Sequence, residues 1–122
     1  MSVPRDAGRS ERPWGWFETL AEGAGYRVKR LWIRRGQRIS RQRHRHRSEH
    51  WVVVAGSGAM ELDGQSISLE PGSVALIPLG AVHRAAAQGA DLEIIEVQRG
   101  DWLSEDDIER LADDFGRVIS GG

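Results

Sequence analysis

Gln42, His44 and His46 stand two residues apart with an arginine in each gap, and Glu49 and His50 follow closely. A period of two puts alternate side chains on one face of an extended strand. A strand this polar buries little apolar surface, so its inward face must do polar work. An amide oxygen, imidazoles and a carboxylate suit zinc, manganese, iron, cobalt or nickel. A lone His83 follows Pro78-Leu79-Gly80, where a distant strand could close the same site.

The rest of the chain has the punctuation of an antiparallel β-protein. Tyr26 to Ile33 alternates, with Val28, Arg30 and Trp32 on one side and Lys29, Leu31 and Ile33 on the other. Arg38 to His46 reads as a polar strand and Glu49 to Ala55 as an apolar one. Gly56-Ser57-Gly58 reads as a turn, and Asp63-Gly64 is a hairpin signal ahead of a return over Ser66 to Leu69. Val74 to Ile77, a strand from His83 and a last strand over Leu92 to Val97 complete the series, with Gly/Pro turns between. The end differs. Ser104 is a good N-cap, Glu105, Asp106 and Asp107 suit the start of a helix, and Ile108, Leu111, Ala112 and Phe115 make an i, i+3, i+4, i+7 stripe. A short C-terminal helix ending at Gly116 is expected. Residues 1–11 read as a flexible lead-in and 12–122 as a single domain.

Composition narrows the function classes. A net charge of −1 gives no field for nucleic acid, and Arg41, Arg43 and Arg45 alternate with the ligands and so face outward. No cysteine is present, which excludes disulfides, thiol nucleophiles and thiolate metal sites. No apolar run approaches the roughly 20 residues of a membrane span, and the start lacks a signal peptide's apolar core. The expected setting is soluble and cytoplasmic, with no membrane or nucleic-acid partner. Val52 and Val54, off the ligand face, suggest a buried outer face and a homodimer.

Two segments match the paired motifs of the cupin superfamily. Gly36, Gln42, His44, Glu49 and Gly56 fall in the register of the first, and Gly72, Pro78, Gly80 and His83 in that of the second. The first ligand position, usually His, is Gln42 here. Arg12-Pro13-Trp14-Gly15, Gly25 to Arg30, His46 to Trp51, Ile77 to Gly80 with His83-Arg84, Ile95 to Gln98, and the Glu105 to Arg117 tail resemble one branch. That branch is the C-terminal isomerase domain of type II mannose-6-phosphate isomerase/mannose-1-phosphate guanylyltransferases. The resemblance covers about residues 12–117. It implies an all-β fold, the cupin double-stranded β-helix (jelly-roll) barrel, here with a short C-terminal α-helix.

The same resemblance implies a metal-dependent mannose-6-phosphate isomerase, an aldose–ketose isomerase working through an enediol, with a phosphosugar substrate. Its one divalent metal, zinc first, with manganese, cobalt, nickel or iron as alternatives, would be held by Gln42, His44, Glu49 and His83. His46 is a candidate base, and Lys29 and Arg84 are candidates for the phosphate. Glu96, Gln98 and His50 would serve the substrate or the ligands' N–H groups. The nucleotidyltransferase domain and its Gly-rich loop are not part of the match, so guanylyltransferase activity is not expected. Ala87 replaces a common family Asn, which leaves a non-catalytic sugar-phosphate-binding cupin open beside the isomerase. Another metal-dependent small-molecule cupin enzyme, such as a dioxygenase, is the third reading.

Overall fold

A computed structural model describes residues 9–118, and all its regular structure is β. The strands are β1 (Arg9–Arg12), β2 (Gly15–Gly23), β3 (Tyr26–Ile33), β4 (Arg41–Arg43), β5 (Arg47–Leu62), β6 (Gln65–Leu69), β7 (Val74–Ile77), β8 (His83–Gly100) and β9 (Glu109–Ala112). They form one curled antiparallel sheet whose path runs β1-β2-β3-β8-β4-β9, with β5 pairing β6, β7 and β8. Of the expected lead-in, residues 1–8 lie outside the described residues, and Arg9 to Glu11 pair with β2.

The long β5–β8 ladder is the spine, running from Arg47 opposite Gly100 to Leu62 opposite His83. Gly56-Ser57-Gly58, read as a turn, does not reverse the chain. The strand continues through it with register shifts, and the glycines let the two backbones touch. A Cβ at Gly56 would lie 1.9 Å from the Asp91 carbonyl oxygen, and its φ of +89° also favours glycine. That bend lets one strand serve both ends of the curled sheet. The inward face carries Leu31, Ile33, Trp51, Val53, Met60, Leu92 and Ile94, all buried. Lys29, Glu49, Glu96 and Gln98 share that face at one end, so the core grades from apolar into polar.

The C-terminal helix does not form, and no helix occurs among the described residues. Ser104 does cap, its Oγ accepting from the Asp106 N–H at 3.0 Å, but only one turn follows. Residues 109–112 instead pair with β4, Arg43 opposite Glu109 and Arg41 opposite Ala112. β4 is three residues long and needs a partner on its open edge, and the strand satisfies that edge's backbone groups. Tertiary pairing thus overrides a local helical pattern. Among the described residues no helix is long and apolar enough to cross a membrane.

The outward arginines are matched within the chain. Arg41 pairs with Glu61 at 2.6 Å and Arg43 with Glu109 at 3.0 Å. The outer face of β5 and β7 is apolar and open, with Val52, Val54, Val74 and Leu76 all exposed.

Candidate metal centre

Strands β5 and β8 and the end of β4 bring His44, Glu49 and His83 together. Their ligand atoms all lie within 4.8 Å of one another and all three residues are buried. Glu49 stands near the start of β5, directly opposite Gln98 of β8. His83 opens β8 opposite Gln42 of β4, so those two side chains share a face. His44 follows β4 immediately. Its Nε2 is 3.2 Å from Glu49 Oε2, and His83 Nε2 is 3.6 Å from Glu49 Oε1.

The hydrogen bonds aim both imidazoles. His44 Nδ1–H donates to the Asp107 carbonyl at 2.6 Å and His83 Nδ1–H to the Ala81 carbonyl at 3.0 Å. That fixes each Nε2 as the lone-pair nitrogen, which is how metal-binding histidines are usually oriented. His83 Nε2 is buried with no hydrogen-bond partner, a group that asks for a ligand. Burial lowers the His44 pKa to about 4, so the ring is neutral at pH 7 as a metal requires. Gln42 donates its amide N–H to the Ser40 carbonyl and Oγ at 3.1 and 3.2 Å, leaving the amide oxygen as its remaining donor atom. Two imidazoles and a carboxylate therefore fit a divalent cation, and Gln42 lines the same pocket.

The surroundings hold Glu49 ionised. Arg47 Nε–H donates to Glu49 Oε2 at 2.8 Å and Trp51 Nε1–H to Oε1 at 3.1 Å. Burial opposes the charge, but His83, His44 and the Arg47 guanidinium outweigh it and hold the Glu49 pKa down. Arg47 Nη2–H also points at His44 Nε2, 3.3 Å away. Glu96 behaves oppositely. Burial first, and then the Glu49 carboxylate, push it up to about 8, and Gln98 Nε2–H donates to it at 2.8 Å.

This difference has a consequence for pH. A carboxyl that binds its proton more tightly folded than unfolded stabilises the fold fully below its unfolded pKa of about 4.5. That contribution is lost as pH rises towards about 8. Metal-free protein should therefore lose up to roughly 1.4 kcal/mol per pH unit in that window from Glu96. Glu96→Gln should flatten the slope and stabilise the fold at pH 8. Urea titrations of both proteins from pH 5 to 8 measure it, and parallel slopes would refute it.

Several expected residues stand elsewhere. His46 is exposed and does not share the His44 face, because β4 ends at Arg43 and the Asp107 carboxylate takes the N–H groups of Arg45 and His46, each at 2.9 Å. Its ring packs edge-on against Trp102, 5.0 Å between centroids. His50 is exposed on the face opposite Glu49. Arg84 alternates with His83 and so leaves the site, donating to the carbonyls of Ile39 at 2.8 Å and Ala112 at 3.2 Å. Lys29 does face the pocket, ion-paired with Glu105 and 4.1 Å above the Phe17 ring. Glu96 and Gln98 are buried beside Glu49 and bond each other, while the N–H groups of both imidazoles go to backbone carbonyls. Arg47, Trp51 and Asp107 were not singled out from sequence. Trp51 shares the Glu49 face at i+2, a signal that could have found it, whereas Asp107 was absorbed into the helical pattern.

A curled antiparallel sheet with histidines and a glutamate converging at one end is the arrangement of a cupin. An RmlC-like cupin from Shewanella frigidimarina superposes with a TM-score of 0.74 over 87% of this chain and 93% of that one, at 18% identity. The family model described as mannose-6-phosphate isomerase C-terminal matches residues 5–113, and the chain belongs to that family. Alginate biosynthesis protein AlgA of Pseudomonas aeruginosa is 44% identical over 108 residues, which are 88% of this chain and 22% of that protein. Mannose-1-phosphate guanylyltransferase of Escherichia coli is likewise 44% identical, over 88% of this chain and 23% of its own length. The chain thus spans less than a quarter of these relatives.

Those findings overturn the isomerase expectation. The relatives are named for guanylyl transfer and polysaccharide biosynthesis, and the matched family is defined as a C-terminal part. Mannose-6-phosphate isomerase activity is not assigned to this chain.

Proposed function

We propose that this chain is a divalent-metal-binding cupin that holds a mannose phosphate within activated-mannose synthesis. The observation that carries the reading is the convergence of His44, Glu49 and His83, with an unpartnered His83 Nε2, at a pocket also lined by Gln42, Lys29, Glu96 and Gln98. Zinc suits two neutral imidazoles and one carboxylate, with Gln42 as a neutral fourth donor. Bound there, the metal would supply a Lewis acid for a sugar oxygen. Glu96, protonated at neutral pH, and Gln98 would hydrogen-bond sugar hydroxyls, and Trp51 and Arg47 hold Glu49 in place. The E. coli relative's name, a mannose-1-phosphate enzyme, supports mannose phosphate as the ligand class. Pairing of two copies through Val52, Val54, Val74 and Leu76 belongs to the same reading.

Calorimetry tests it with metal-stripped protein. Zinc should bind one ion per chain, and mannose 1-phosphate should bind only after zinc. A folded protein that takes up no zinc, cobalt, manganese or nickel, or a metal-loaded protein indifferent to mannose phosphates, would refute the proposal.

A further inference from the structure

Lys29 and Arg84, the cations singled out from sequence for a phosphate, are engaged elsewhere. Lys29 is neutralised by Glu105, and Arg84 lies on the other face of β8. Two other guanidiniums make no ion pair among the described residues. Among the described residues Arg12 makes no ion pair, donating only to the Glu11 carbonyl at 2.8 Å while resting 4.8 Å over the Phe17 ring. Arg110 makes none either, and its Nε is buried without a hydrogen-bond partner.

Their positions are set by the sheet. Arg110 lies opposite Gln42 in the β4–β9 register, and Gln42 lies opposite His83 in the β4–β8 register. His83, Gln42 and Arg110 are therefore one row across three strands, two strand spacings or ~10 Å from end to end. Arg12 lines the metal pocket, as does Arg117, which already forks onto Asp113 at 2.7 and 3.0 Å. Burial first, then the charges of Arg117 and Arg12, lower the Arg110 pKa against the opposing pull of the Asp113 and Glu105 carboxylates, so three guanidiniums stand close together here. A buried, unpartnered donor such as Arg110 Nε beside like charges is unfavourable without an anion.

We infer that Arg110 and Arg12 form an anion site at the rim of the metal pocket that takes a phosphoryl group, with the sugar reaching from it to the metal end of the row. A guanidinium fork matches phosphate oxygens, and a hexose phosphate is long enough to span the row. The inference rests on the phosphosugar reading and adds which residues hold the phosphate. The phosphoryl group could be a sugar's monoester or the diphosphate of a nucleotide sugar.

The test uses the zinc-loaded full chain and calorimetry with inorganic phosphate, mannose 1-phosphate, GDP-mannose and mannose. Arg110→Gln should weaken inorganic phosphate and mannose 1-phosphate at least tenfold, and leave zinc and mannose affinities within twofold. Arg110→Lys should recover part of the loss. Arg12→Gln gives the same readout should Arg110→Gln fail to fold. Tighter binding of mannose 1-phosphate than of GDP-mannose assigns the monoester, and the reverse assigns the diphosphate. Phosphate affinity unchanged in both glutamine variants, or no phosphate binding at all, overturns the site. Phosphate binding that depends on Arg110, with mannose 1-phosphate and GDP-mannose both held no tighter than phosphate, would keep the site and refute the phosphosugar reading.

Discussion

Glu49→Gln should lower zinc affinity by at least two orders of magnitude and destabilise the metal-free protein by roughly 3 kcal/mol. Shape is conserved in this exchange, so the change is one of charge. The carboxylate is the only anion among the three converging ligand groups, and its ligand atoms face both Nε2 nitrogens. Removing it leaves two neutral imidazoles and an amide, a poor set for a divalent cation. It also orphans Arg47, whose guanidinium is buried against Glu49 at 2.8 Å. Breaking a buried pair from one side costs roughly 3–5 kcal/mol. The lower figure applies because Glu96, freed of its neighbour's charge, can ionise towards Arg47. Zinc calorimetry and urea unfolding at pH 7 measure both effects. Unchanged zinc affinity would place the metal elsewhere.

The convergence of His44, Glu49 and His83 was legible in the sequence because their spacing is a backbone property. Gln42 and His44 alternate on and just beyond a strand, Glu49 opens the next, and each step survives in the ladder. Neighbours supplied by distant chain were not legible. His46 keeps the same period as His44, yet it swings outward because Asp107, more than sixty residues away, captures its N–H. The Ser104 to Phe115 segment has every local mark of a helix, and only the open edge of β4 makes it a strand. Lys29 is visible as a lysine on an inward face, but its partner, Glu105, comes from the segment with the helical pattern, although Glu96 stands opposite it in the register. The turn read at Gly56-Ser57-Gly58 failed for a related reason. Glycine marks both a reversal and a close backbone approach, and only the β8 partner distinguishes them.

Arg47→Met should do the reverse to the metal: tighten zinc binding by on the order of tenfold or more while lowering metal-free stability. The guanidinium donates to two of the atoms a metal would use, Glu49 Oε2 at 2.8 Å and His44 Nε2 at 3.3 Å. It is a built-in cation that compensates the buried carboxylate, and a metal must either displace it from His44 or bind beside its positive charge. At such distances like charges oppose one another by more than 1 kcal/mol even with substantial screening. Methionine keeps the packing volume and removes both the competing donor and the charge. Without metal, Glu49 then retains the Trp51 N–H and the Glu96 carboxyl but no cation, and the fold loses roughly 3 kcal/mol. Saturating zinc should restore most of that loss, so the gap in melting temperature between metal-free and loaded protein should widen. The double variant Glu49→Gln/Arg47→Met should be less destabilised than the two single changes added together, because each strands the other's charge. Weaker zinc binding in Arg47→Met would instead make Arg47 a residue that positions Glu49 for the metal, with no competition between the two cations.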